Sequence, residues 1–120
     1  MIKGYDDLEV YQIAYQLTLR IYEITKGYPT EEKYNLISQL RRSSMSIALN
    51  IVEGYGRKDA AKEFKHFLRN ALGSCNETRV LIDMSTDLGY IDKETYENLK
   101  KDYEKLSKKI YRLMQSWNNN

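Results

Sequence analysis

The chain holds one proline, one cysteine, one histidine, one tryptophan and six glycines in 120 residues. Each scarcity excludes something. So little turn chemistry cannot serve a many-stranded sandwich or barrel. A lone Cys75 cannot build an intramolecular disulfide framework, and a reducing compartment is the simpler setting. One histidine and one cysteine leave no His/Cys zinc set within a chain. No apolar run approaches the roughly 20 residues a membrane span needs. The opening Met1-Ile2-Lys3-Gly4-Tyr5-Asp6-Asp7 turns acidic early and lacks an apolar core, unlike a signal peptide. The expectation is a soluble cytoplasmic protein with no membrane partner. A net charge of +2 is too small for composition alone to imply nucleic acid.

What the chain has instead is tyrosine, 11 of them against two phenylalanines, with 42% hydrophobic and 30% charged residues. That balance is globular, and the length suits one domain over residues 1–120. Breakers cluster at Lys26–Thr30, at Glu53–Asp59 and at Leu88–Asp92. They leave four segments with helical periodicity, at about 7–27, 31–55, 59–88 and 93–117. Asp6 or Asp7, Thr30, Asp59 and Asp92 are the expected openings, with Glu31 and Glu32 favouring the helix dipole of the second. The third carries Phe64, Phe67, Leu68, Ala71, Leu72, Val80, Leu81, Met84 and Leu88 as apolar positions. The fourth repeats Tyr96, Leu99, Tyr103, Leu106, Ile110, Leu113 and Trp117 at alternating steps of 3 and 4. Short links between long helices predict an all-α, antiparallel up-down-up-down four-helix bundle.

A polar stripe interrupts this pattern. Gln39, Ser43, Ser46, Asn50 and Glu53 recur at core spacing on the second helix, and His66, Asn70, Gly73 or Ser74, and Glu77 on the third. Antiparallel pairing about the intervening turn sets Asn50 near His66, Ser46 near Asn70 and Gly73, and Arg42 near Ser74 and Glu77. Two readings stand. One is a satisfied hydrogen-bond seam with Arg42–Glu77 as its ion pair. The other is a functional surface facing a pore or a partner.

Catalytic signals are weak. Glu63-Phe64-Lys65-His66 has the Glu-x-x-His form of di-iron bundles, but such a site needs a second copy, and the chain has no second histidine. Cys75 lies nine residues beyond His66 on one helix, about 13 Å by helix rise, too far for a nucleophile and its base. Gly54-Tyr55-Gly56 lacks the lysine and preceding strand of a phosphate loop. No metal, cofactor or enzymatic activity is expected. Charge is uneven: the quarter from Thr30 to Lys58 and the quarter from Asp92 to the end are each +2, the others −1. The lysines of the last helix alternate with Glu94, Glu97, Asp102 and Glu104, as a solvated face does. Arg41 and Arg42 beside the polar stripe, with Arg57 and Lys58, are the candidate phosphate contacts, and repetition about an axis would multiply their field.

Longer phrases point the same way. They are Tyr5-Asp6-Asp7-Leu8-Glu9-Val10-Tyr11, Ser38-Gln39-Leu40-Arg41-Arg42-Ser43-Ser44-Met45-Ser46-Ile47, Asn50-Ile51-Val52-Glu53-Gly54-Tyr55-Gly56-Arg57, Phe64-Lys65-His66-Phe67-Leu68, Gly73-Ser74 and Leu88-Gly89-Tyr90-Ile91. Together they resemble the bacterial 23S rRNA intervening-sequence (S23) family of four-helix bundle proteins. The resemblance implies an antiparallel bundle, often a ring-shaped homopentamer, whose biochemical role is poorly established. It extends to the accessory variability determinant of diversity-generating retroelements, which binds nucleic acid and a reverse transcriptase. The family's characteristic positions match Arg41, Arg42, Ser46, Asn50, Glu53, Gly54, Arg57, Gly73, Ser74 and Glu77. Tyr11 stands where tryptophan is frequent, and Asn76 and Thr78 where acidic residues are common. The resemblance leads to a non-enzymatic oligomer binding RNA or DNA. The alternative is a protein-protein adaptor, for example for a reverse transcriptase, docking through tyrosines on the first and last helices. The tyrosine surplus fits subunit interfaces.

Overall fold

A computed structural model describes residues 1–118. Four helices account for most of them: α1 Glu9–Thr25, α2 Leu36–Tyr55, α3 Ala61–Asp87 and α4 Lys93–Ser116. They pack α1 on α2, α2 on α3, α3 on α4 and α4 back on α1, as an antiparallel bundle of 49 × 25 × 21 Å. The core is one continuous cluster. On α4 it takes Leu99, Tyr103, Leu106 and Ile110, the centre of the heptad pattern. Arg20 of α1 holds Asp102 of α4 at 2.6 Å, and Lys109 of α4 holds Glu9 of α1 at 3.1 Å, which closes the ring of helices.

The helix ends differ from expectation where local chemistry competes. Asp7 does not cap α1. Its carboxylate accepts from the Lys3 and Gly4 amides and closes a short 3-10 turn, Tyr5–Asp7, leaving Leu8 at the cap. Thr30–Glu32 is likewise a separate 3-10 turn, and α2 starts only at Leu36. Glu32 is used across the bundle: it accepts from Tyr90 Oη at 2.8 Å and ties the α1–α2 link to the α3–α4 link. Asp59 gives way to Ala60 as the residue before α3. Asp92 does cap α4, accepting from Thr95 N at 2.8 Å. After α3 the chain reverses at Gly89, whose φ of +80° suits glycine. Tyr90 N reaches Ser85 O and Gly89 N reaches Thr86 O there, which satisfies two of the carbonyls at the helix end.

The buried stripe of α3 also corrects the sequence pattern. It runs Phe64, Leu68, Ala71, Cys75, Thr78, Ile82, Ser85, while Val80, Met84 and Leu88 are about half exposed. Two hydroxyls occupy core positions because each finds a carbonyl one turn back: Thr78 Oγ1 on Ser74 O, Ser85 Oγ on Leu81 O. The apolar residues thereby displaced face outward.

Candidate nucleic-acid interface

The two arginines of Arg41-Arg42 have opposite situations. Arg41 is half-buried and turned inward. Its Nε donates to Thr25 Oγ1 at 2.9 Å, its Nη2 to Tyr22 O at 3.3 Å, and the guanidinium lies 4.6 Å from the Tyr22 ring centroid. It clamps the end of α1 onto α2. Arg42 is exposed and makes no ion pair or hydrogen bond with any described residue. The expected Arg42–Glu77 pair is not formed, and Glu77 is exposed too.

Arg57 and Lys58 stand at the other end of α2. Arg57 donates to the Glu53 carboxylate at 2.9 Å and carbonyl at 2.8 Å, and covers the Phe67 ring. Lys58 lies over the Tyr55 ring, and its carbonyl accepts from Trp117 Nε1 at 2.9 Å. Arg42 and Arg57 are fifteen residues apart, about 22 Å along the helix. The four basic residues therefore do not form one patch on a single chain.

The polar stripe divides into a bonded interior and an open exterior. Ser43 is buried and donates to Leu40 O. Thr78 Oγ1 approaches Ser43 Oγ at 2.8 Å, Ser46 and Ser74 share a hydroxyl contact of 2.9 Å, and Asn50 Nδ2 donates to Ser46 O at 2.8 Å. Thr78 is the member the sequence reading missed. Its place three residues beyond Cys75 on the buried stripe was the available signal. Gln39, Glu53, Asn70 and Glu77 lie outside: Gln39 bonds Asn35, Glu53 holds Arg57, and Asn70 and Glu77 are exposed. Ser46 meets Ser74, beside the expected Gly73 and one turn beyond the expected Asn70. The reason is the link. Backbone bonds from Gly56 N to Val52 O, Arg57 N to Gly54 O and Lys58 N to Tyr55 O carry helical winding past Tyr55, so the reversal falls nearer α3. Gly54 lets the helices meet closely there: a methyl on it would lie 2.8 Å from Phe64 Cδ1 and Phe67 Cβ.

Two other features complete the surface. An apolar cavity of about 430 Å³ opens between α1 and α2, lined by Tyr5, Tyr11, Tyr15, Leu19, Tyr22 and Leu49 among others. The sequence reading placed interface tyrosines on α1 and α4; those of α1 gather here. The second feature is a set of cations with no carboxylate or hydrogen-bond partner among the described residues. Besides Arg42 these include Lys62, Lys65 and Arg69 on α3, and Lys101, Lys105 and Arg112 on α4. Sequence reading merged the α4 lysines into one solvated face. The structure separates Lys108, paired with Glu104, and Lys109, paired with Glu9, from the unpaired ones.

No group of three or more His, Cys, Asp or Glu that could hold a metal occurs among the described residues. None of their helices is long and apolar enough to cross a membrane. His66 is exposed, its ring edge-on to Phe67. Cys75 is fully buried. Desolvation pushes its thiol up to about 11, against the opposing effects of Ser107 and Arg79. At neutral pH the native thiol is expected to resist an aromatic disulfide reagent and to react quickly only in denaturant. Rapid stoichiometric reaction of the folded protein would contradict its burial.

The architecture is thus an antiparallel helical bundle with an internal hydroxyl seam and unpaired surface cations. The model of the 23S rRNA-intervening sequence protein family matches residues 6–112, and the chain belongs to that family. Among solved structures it is similar to a protein of unknown function from the S23 ribosomal protein family of Bacteroides thetaiotaomicron. The two share 26% identity with a TM-score of 0.80, over 89% of this chain and 96% of the other. No curated protein matches it.

Proposed function

We propose that this chain is a non-enzymatic, oligomeric accessory protein that binds RNA or DNA through the phosphate backbone. The observation that carries this reading is a set of exposed or half-buried cations without carboxylate partners among the described residues: Arg42 on α2 and six more on α3 and α4. Unpaired cations suit nucleic-acid phosphates because each contact releases counterions condensed on the strand. Of the four basic residues singled out in the sequence, Arg42 is free to serve. Arg41, Arg57 and Lys58 are occupied by ring faces, carbonyls or Glu53.

Assembly would multiply these charges. The chain carries two separate apolar surfaces, the tyrosine cavity between α1 and α2 and the strip of Val80 and Met84 on α3 with Leu88 just past its end. Unlike patches on one chain favour head-to-tail contacts, which give a ring where the rotation between copies closes. A homopentamer, as the family resemblance suggests, should give a light-scattering mass of five chains. A monomer at working concentration would remove the ring. Binding is tested by gel mobility shift with a structured RNA at low ionic strength, where a shifted complex is expected. No shift at any protein concentration would end the reading.

The tyrosine cavity favours a second reading, a protein-protein adaptor with no direct nucleic-acid role, for example for a reverse transcriptase. Tyrosine rings offer large apolar area with a polar tip, the composition of interface cores. A partner retained after exhaustive nuclease treatment, with no mobility shift, would favour this one.

A further inference from the structure

The unpaired cations are not scattered evenly. A shallow cavity of about 430 Å³ lies between α3 and α4, lined by Leu72, Ser107, Lys108, Tyr111, Arg112 and Gln115. Its register follows from contacts on either side: Phe64 meets Trp117 and Asp83 meets Lys100. Interpolation brings Arg69 level with Arg112 and Lys65 level with Ser116. Lys65, Arg69 and Leu72 share a face at helical spacing, as do Lys105, Lys108, Arg112 and Gln115 on the facing helix. After Glu104 the chain has no further acidic residue, and Glu104 itself is taken by Lys108 at 3.3 Å. The helix dipole does not account for this, because it acts in the last turn, and the last turn of α4 holds no basic residue. Like charges on two packed helices repel, and among the described residues the Glu104–Lys108 pair is the one salt bridge that offsets it.

In the midst of these cations Tyr111 is 48% exposed, with its hydroxyl accepting from Gln115 Nε2 at 3.1 Å. An aromatic face flanked by cations is the pairing that single-stranded nucleic acids use: charge follows the backbone and the ring stacks a base. A duplex keeps its base faces stacked inside and would leave Tyr111 idle. The cavity has the size for a nucleotide or two, not for a helix. We infer that the α3–α4 groove takes a single-stranded nucleic-acid segment, its phosphates on Lys65, Arg69, Lys108 and Arg112 and a base on the Tyr111 ring. This inference rests on the nucleic-acid reading above and assigns its site and strand state.

The test is fluorescence anisotropy with a labelled 12-nucleotide single strand and the matching duplex, using the full chain. Wild type should prefer the single strand. Replacing Lys65, Arg69, Lys108 and Arg112 together by Gln should weaken binding at least tenfold. Tyr111→Ala should cost about fivefold or more, the lower end of a stacked base, while Tyr111→Phe keeps affinity. Arg42→Gln should cost at most about threefold. These side chains are exposed or half-buried, and unchanged far-UV ellipticity confirms folding. If the fourfold variant binds as wild type does while Arg42→Gln abolishes binding, the groove assignment is overturned. A duplex preference, or equal loss in Tyr111→Ala and Tyr111→Phe, overturns the single-strand assignment. No binding by wild type to either probe overturns the underlying nucleic-acid reading as well.

Discussion

Phe64→Ala is expected to lower the unfolding free energy by about 3–5 kcal/mol. Phe64 is fully buried where three elements converge. Its ring meets Tyr55 of α2 edge-on at 6.2 Å and Trp117, just past α4, at 4.7 Å. Gly54 of α2 packs directly on it. Truncation loses the ring's transfer free energy and leaves a cavity that rigid helices cannot close. It also removes the anchor for Trp117, so the end of α4 should fray. Gly54→Ala attacks the same junction from the other side. The added methyl would sit 2.8 Å from Phe64 Cδ1 and Phe67 Cβ, and the second of these is too close to its backbone to swing away. A cost of about 1–3 kcal/mol is expected from this overpacking, despite the better helix propensity of alanine. Urea denaturation measures both. A loss below about 1 kcal/mol for Phe64→Ala would mean that α2, α3 and the end of α4 do not converge as described.

Arg41→Ala is expected to cost about 2–3 kcal/mol, while Arg42→Ala stays within about 0.5 kcal/mol of wild type. The neighbours look equivalent in sequence. In the fold Arg41 is half-buried and donates to Thr25 Oγ1 and the Tyr22 carbonyl, both near the end of α1. Hydrogen bonds to a charged group contribute about 1.5–3 kcal/mol, and the guanidinium over the Tyr22 ring adds about 0.5–1. Arg41→Lys should recover only part of the loss, since an ammonium cannot serve both acceptors in the same fork. Arg42 has no such partners to lose. Thermal melts of the two alanine variants give the ranking directly, and the reverse order would contradict the inward placement of Arg41. The difference also governs binding experiments. Loss of nucleic-acid affinity in an Arg41 variant reports on folding first, so charge reversals belong at Arg42 or in the α3–α4 groove.

The four helices were legible because breakers and periodicity agree, and the heptad on α4 named its core residues almost one for one. Helix starts were less legible. Asp7 and Glu32 look like capping and first-turn carboxylates, yet each found a stronger local or cross-loop partner. The α3 core was misread at Val80, Met84 and Leu88 because Thr78 and Ser85 take the buried places, and hydropathy does not see a hydroxyl satisfied by a carbonyl one turn back. The seam was found in Ser43, Ser46, Asn50 and Ser74. Of the two neighbours expected for Ser46, the structure favours the Gly73 side over Asn70, because the α2–α3 link keeps helical winding, which residue types alone do not reveal. The cation groove was hidden by a linear view of charge. Arg69 comes level with Arg112, and Lys65 with Ser116, only once α3 and α4 are set side by side.

The central claim is that this bundle holds nucleic acid by phosphate contacts, and the salt dependence of binding tests it most directly. Each neutralised phosphate of a single strand contributes about −0.7 to the slope of log affinity against log salt. Four contacts in the α3–α4 groove of one chain predict a slope of about −3, steeper if neighbouring chains share the strand. The fourfold glutamine variant should bring that slope close to zero. A wild-type slope near zero, or no binding in low salt, would contradict the claim.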